Sequence, residues 1–149
     1  MLPRPNVLLD VEAGDKEHLI ELLARLLASA HGLTSADTIA QRVLERESQV
    51  STGIGLGVAI PHCRLEDLER SCMVAARTAG PVEFDAIDEQ PVRLVFLMVS
   101  PANTVAEHAD VLSRLSHVLA QEKTRAKLLE ARSAEEFIAA VAEAEDALA

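Results

Sequence analysis

The chain has 149 residues and a formal net charge of −10, from 14 basic and 24 acidic side chains. That length suits one domain, which on folding buries about 68–70% of its unfolded surface and needs no disulfide or structural metal for a core. With 2% aromatic residues it lacks the cationic footprint and stacking platforms of a nucleic-acid binder, and 49% hydrophobic content excludes disorder.

Met1-Leu2-Pro3-Arg4-Pro5 has no apolar segment behind it, so no signal peptide is expected. Val7-Leu8-Leu9 reads as a small strand or anchoring segment. Asp15 is the candidate N-cap of a first helix, whose apolar positions Leu19, Ile20, Leu22, Leu23, Leu26 and Leu27 recur at helical spacing until Gly32 ends it. Ser35 caps a second helix with Ile39, Val43 and Leu44 on its apolar face, running out near Arg46-Glu47-Ser48.

The middle of the chain changes character. Ser51 to Gly57 is turn-like and glycine-rich, and Val58-Ala59-Ile60 is strand-like until Pro61, which cannot donate to a ladder, stops it. Cys72 to Ala76 is a second candidate strand and Val82-Glu83-Phe84 a weaker one. Val92 to Val99 is nearly continuous apolar, the pattern of a strand covered on both faces, and Pro101 closes it. It is far too short to cross a membrane.

Thr104-Val105-Ala106-Glu107 has the capping-box pattern, and the helix behind it puts His108, Leu112, Leu115 and Leu119 on one face. A further helix spans roughly Thr124 to Ala131. Ser133-Ala134-Glu135-Glu136 opens a last helix through Val141. This order of elements predicts a single α/β (α+β) domain over residues 1–149, with a mixed sheet of about four to five strands flanked by helices on both faces.

The chemistry concentrates around His62. A strand delivers it just past a proline, at a sheet end where reacting groups usually sit, and Gly53, Gly55 and Gly57 let backbone N–H groups approach a phosphate. The spacing is neither a dinucleotide fingerprint nor a P-loop. The competing reading is a surface histidine after a glycine-rich turn. His108 shares an apolar stripe and lies in a helical first turn; its plainer reading is a buried histidine satisfied by a backbone carbonyl. Arg46 could hold a phosphoryl group by bidentate hydrogen bonds or simply complement a helix C-terminus. Ser51 and Thr52 could add hydroxyl donors or shape the turn. His117 falls on the opposite face from His108, and His18 and His31 read as surface residues. Cys63 and Cys72 form no disulfide framework, and with His62 they fit no zinc spacing, so no metal is expected. Cys63 as a nucleophile would pair poorly with His62, because neighbours on extended backbone point to opposite faces.

Together, Arg46-Glu47 and the run STGIG-x-G-x-AIPH ending at His62 resemble the phosphorylation-site signature of enzyme IIA proteins of the bacterial phosphoenolpyruvate-dependent phosphotransferase system. The branch is the fructose/mannitol type, which includes the nitrogen-regulatory IIA proteins. Pro81 to Phe84, Val92 to Val99 with Pro101, and His108 before its leucine-rich helix extend the likeness from about Val7 to Val141. The resemblance implies a helix-covered mixed sheet and phosphotransferase activity. It implies that His62 accepts a phosphoryl group on Nε2 from a phosphocarrier protein of the HPr type. It implies that His108 lies beside His62 and helps bind phosphate, that Arg46 stands at the edge of the site, and that no metal or organic cofactor takes part.

One position departs: Cys63 stands where the family usually has glycine, which puts backbone freedom, partner docking and redox behaviour in question. The −10 charge is expected to steer a basic partner patch. With no fused IIB or IIC segment, the sequence favours a cytoplasmic regulatory IIA protein. The alternatives are a transport component passing the phosphoryl group to a IIB domain, and an interaction domain that is no longer phosphorylated. No nucleic acid or membrane insertion is expected. Sugar, regulatory targets and oligomeric state are not written in the residues.

Overall fold

Val92–Pro101 forms the central strand of the sheet, and its continuous apolar character has a simple cause. Alternate side chains of a strand face opposite sides, and both sides are covered: Val95, Leu97 and Val99 enter one core while Leu94 and Phe96 enter another. The computed structural model describes residues 2–33, 35–49, 51–66 and 68–148. In chain order the elements are β1 (Asn6–Val11), α1 (Lys16–His31), α2 (Ala36–Gln49), β2 (Gly53–Gly55), β3 (Val58–Ala59), β4 (His62–Leu65), β5 (Cys72–Val82), β6 (Val92–Pro101), α3 (Val105–Ala120), α4 (Glu122–Glu130) and α5 (Ala134–Asp146).

The strands make one mixed sheet in the order β1-β5-β6-β3-β2, with β4 also on β6. β1 lies parallel to β5, and β3 and β4 lie parallel to β6, while β5–β6 and β2–β3 are antiparallel. Helices α1 and α2 cover one face through Leu19, Leu23, Leu27, Ile39 and Val43. Helices α3, α4 and α5 cover the other through Leu115, Leu119, Leu128 and Phe137. The expected α/β class with helices on both faces is what forms.

The caps follow the residue chemistry in most places. Asp15 accepts from His18 N–H at 2.8 Å, Gly32 takes the left-handed conformation at φ 66°, and Ser133 accepts from Glu136 N–H at 3.1 Å. Thr104 is the exception. Its hydroxyl donates to Pro101 C=O at 2.8 Å, so it makes no side-chain cap and the expected capping box is absent at α3.

Two expectations about the sheet are corrected. Gly53–Gly55 is a strand, not a turn; the turn is Leu56-Gly57, where φ of 62° and 77° gives a two-residue hairpin of the kind that matches strand twist. Val82 ends β5 rather than opening a strand through Phe84, because the chain turns away at Asp85 with φ 53°. Pro61 interrupts the strand as expected, between β3 and β4, but the register on β6 carries across it. Val58 and Ala59 pair with Leu94 and Val95, and His62 and Cys63 pair with Met98 and Val99, the same register on both sides of the proline. Pro61 C=O still accepts from Met98 N–H at 3.0 Å, and beyond β2 this line is a sheet edge, where a missing N–H costs nothing.

Candidate active site at the β4 edge

His62 is the first residue of β4, so an edge strand of a rigid sheet fixes its backbone. Its neighbour Cys63 points into the core under α1 and α2, which turns His62 to the other side, towards α3. There the His62 and His108 rings lie 5.2 Å apart between centroids. A cleft of about 430 Å³ opens between α2 and α3 across this edge, lined by Arg42, Arg46, Arg64, His62, His108 and Val105 among others. Three arginines of an acidic chain thus meet at one cleft, so the local charge opposes the net charge. Arg42 and Arg64 had no motif to announce them; only the folding of α2 against β4 brings them together. A larger groove of about 630 Å³ between α1 and α2 contains no histidine or cysteine.

The hydrogen bonds assign the protons. His62 Nδ1 sits 2.8 Å from Ile60 C=O, which can only accept, so Nδ1 carries the proton and Nε2 is left with a free lone pair. Burial lowers the His62 pKa, with Arg46 adding to the effect and the Ile60 carbonyl and Glu47 opposing it. The ring is therefore neutral at pH 7. His108 is buried, with its Nδ1 2.7 Å from the Ser100 hydroxyl rather than from a backbone carbonyl. Burial first, then His62, Arg64 and Arg46, bring its pKa down to about 4.

The tip of the glycine-rich run lies away from His62. Gly57 is five residues before His62 on an extended line, roughly 16 Å away at strand rise. Leu56 N–H donates to Asp88 at 3.0 Å, and Gly57 C=O accepts from Arg93 and Leu94. The hairpin is thus tied to the far end of the sheet and offers no cradle at the histidine. Ser51 and Thr52 are likewise engaged in structure. The Ser51 hydroxyl donates to Phe84 C=O, and Thr52 donates both its N–H, at 2.8 Å, and its hydroxyl to Glu47. Glu47 is buried, its other oxygen 2.6 Å from Lys16 Nζ, so this set anchors the end of α2 to the hairpin. Neither hydroxyl lines the cleft.

Cys63 does not need the freedom of glycine: it is a regular strand residue paired with Val99. Burial pushes its thiol up to about 12, which holds it as the neutral thiol at pH 7. Cys72 also pairs with Val99, from the other side, so two strand spacings of about 4.8 Å separate the cysteines, too far for a disulfide. Among the described residues no helix is long and apolar enough to cross a membrane. His117, His18 and His31 are exposed and remote from the cleft.

Comparison with known proteins gives the arrangement a context. The model of the family described as phosphoenolpyruvate-dependent sugar phosphotransferase system, EIIA 2, matches residues 1–144. A fructose-specific EIIA component of Haloferax volcanii is 36% identical over 131 residues, spanning 88% of this chain and 85% of the relative. A nitrogen regulatory protein of Pseudomonas aeruginosa is 35% identical over 128 residues, spanning 86% of this chain and 83% of its own. The crystal structure of nitrogen regulatory protein IIA-Ntr from Neisseria meningitidis superposes with a TM-score of 0.87 at 38% identity, covering 94% of this chain and 95% of that one.

Proposed function

The chain belongs to the EIIA 2 family of the phosphoenolpyruvate-dependent sugar phosphotransferase system, and from that premise we propose that it is a regulatory IIA protein that carries a phosphoryl group on His62. The observation that carries this reading is the free Nε2 of a neutral His62, facing a cleft with a second histidine and three arginines. The donor is a phosphocarrier protein of the HPr type bearing its own phosphohistidine.

The geometry supports a single displacement step. His62 Nε2 attacks phosphorus, the bond from phosphorus to the carrier's nitrogen breaks, and the carrier keeps that electron pair. As Nε2 bonds to phosphorus the ring gains positive charge, and the Ile60 carbonyl on Nδ1–H stabilises it. Arg46 is the principal cation for the phosphoryl oxygens, with Arg42 and Arg64 at the same cleft. Phosphoryl transfer needs mainly positioning and electrostatic stabilisation, which these groups supply. Val105, 59% exposed at the rim, offers apolar contact to a docking partner. Ser51 and Thr52 act at a distance, by holding the hairpin and α2 in place.

The regulatory assignment draws on the likeness to nitrogen regulatory proteins. A transport role, with onward transfer to a IIB domain, is the second reading, favoured by the fructose-specific relative at 36% identity. The test is intact mass after incubation with phosphoenolpyruvate, enzyme I and the phosphocarrier protein. Wild type gains one acid-labile phosphoryl group and His62→Ala gains none; uptake by His62→Ala would refute the assignment. Adding IIB domains separates the two readings, since only a transport component is then discharged.

A further inference from the structure

His108 Nδ1 meets residues that lie outside any motif. Ser100 lies fully buried on β6, with its hydroxyl 2.7 Å from His108 Nδ1. Ser71, immediately before β5, donates to the Ser100 hydroxyl at 3.0 Å. A serine hydroxyl has one proton and two acceptor lone pairs. With Ser71 as the donor, the one proton of Ser100 is left for its remaining partner, His108 Nδ1. In a neutral ring an accepting Nδ1 leaves the proton on Nε2.

We propose that Ser71 and Ser100 form a two-hydroxyl relay that locks His108 as its Nε2–H tautomer, a hydrogen-bond donor for the phosphoryl group carried on His62. This rests on the reading of His62 given above. His62 is set the opposite way, with Nδ1 donating to Ile60 and Nε2 bare. Two rings 5.2 Å apart thus take complementary roles, one nucleophile and one donor. The neutral state of His108 makes the tautomer matter, because an imidazolium would donate from both nitrogens whatever its partners. Ser71 and Ser100 are positioning residues; they act on the reaction only through His108.

The test is long-range ¹H–¹⁵N correlation of the imidazoles in the full ¹⁵N-labelled chain at pH 7, with the His108 signals assigned by loss in His108→Gln. Wild type is expected to show His108 protonated on Nε2. Ser100→Ala and the milder Ser71→Ala shift it to a mixture of tautomers. Phosphoryl uptake by His62 slows in proportion to the His108 fraction that leaves the Nε2–H form, about twofold for an even mixture. Ser71→Thr keeps a hydroxyl and restores both tautomer and rate, which a purely structural role would not require. A wild-type His108 protonated on Nδ1, or a tautomer unchanged in both alanine variants, overturns the proposal. If the tautomer responds as expected but wild type accepts no phosphoryl group, the relay stands and the reading of His62 fails.

Discussion

At the scale of single residues, burial gives familiar side chains unfamiliar chemistry. Unfolded, His108 takes up a proton near the ordinary 6.5; folded, it holds off to about 4. Between those values the unfolded chain binds more protons than the native one, so stability falls as pH drops through that window and is fully present above it. His62 adds to the loss in the same direction. His108→Gln is therefore expected to flatten the decline of stability between pH 6.5 and 4, read by urea denaturation at a series of pH values. An unchanged slope would mean that His108 is not held neutral. Burial likewise keeps the Cys63 thiol neutral, next to His62 in sequence but packed in the core.

At the scale of elements, the hairpin β2–β3 carries a visible cost. Leu56 sits at φ 62° in a two-residue turn and is 54% exposed. A leucine in the left-handed region costs roughly 1–2 kcal/mol, and its side chain gains little from contact in return. Asparagine tolerates that conformation and precedes glycine in the favoured turn. Leu56→Asn is expected to stabilise the fold by about 1 kcal/mol, seen as a higher thermal midpoint, with no change in phosphoryl uptake because the turn is at the far end from His62. At the adjacent strand, a Cβ on Gly53 would lie 2.9 Å from the Ala86 Cβ, so glycine there reflects close approach of two segments and not a ligand.

At the scale of the whole molecule, Arg77 joins parts that are distant in sequence. It is buried on β5, meets Asp10 of β1 through both carboxylate oxygens at 3.1 Å, and donates to Leu128, Leu129 and Ala131 carbonyls at the end of α4. Its cation thus satisfies carbonyls that the helix cannot. Arg77→Met would leave those carbonyls and Asp10 unmatched, so the expected loss is roughly 2–4 kcal/mol, measured as a lower urea midpoint at unchanged m-value. A loss below about 0.5 kcal/mol would show that water replaces the guanidinium. Charge also reads differently at this scale: the net −10 is spread over the surface, while the cleft at His62 gathers Arg42, Arg46 and Arg64.

The sequence by itself determined the class of fold, the central strand and most helix caps, because these depend on periodicity and on residues within four positions of each other. It also singled out His62, His108 and Arg46, through a motif and a stripe. Only the tertiary structure decided what surrounds them. The tip of the glycine run, Gly57, lies at the other end of a strand from His62, since extended backbone carries each residue about 3.3 Å onward, while the hairpin folds Gly53 back beside Ala59. Pro61 reads as a stop and does break the strand, but only the sheet shows that His62 resumes the same register on β6. Ser71 and Ser100 carry no signal in one sequence, because their role exists only where β5, β6 and α3 meet. Local chemistry fixes elements; which side chains share a cleft depends on how a sheet edge and two helices pack.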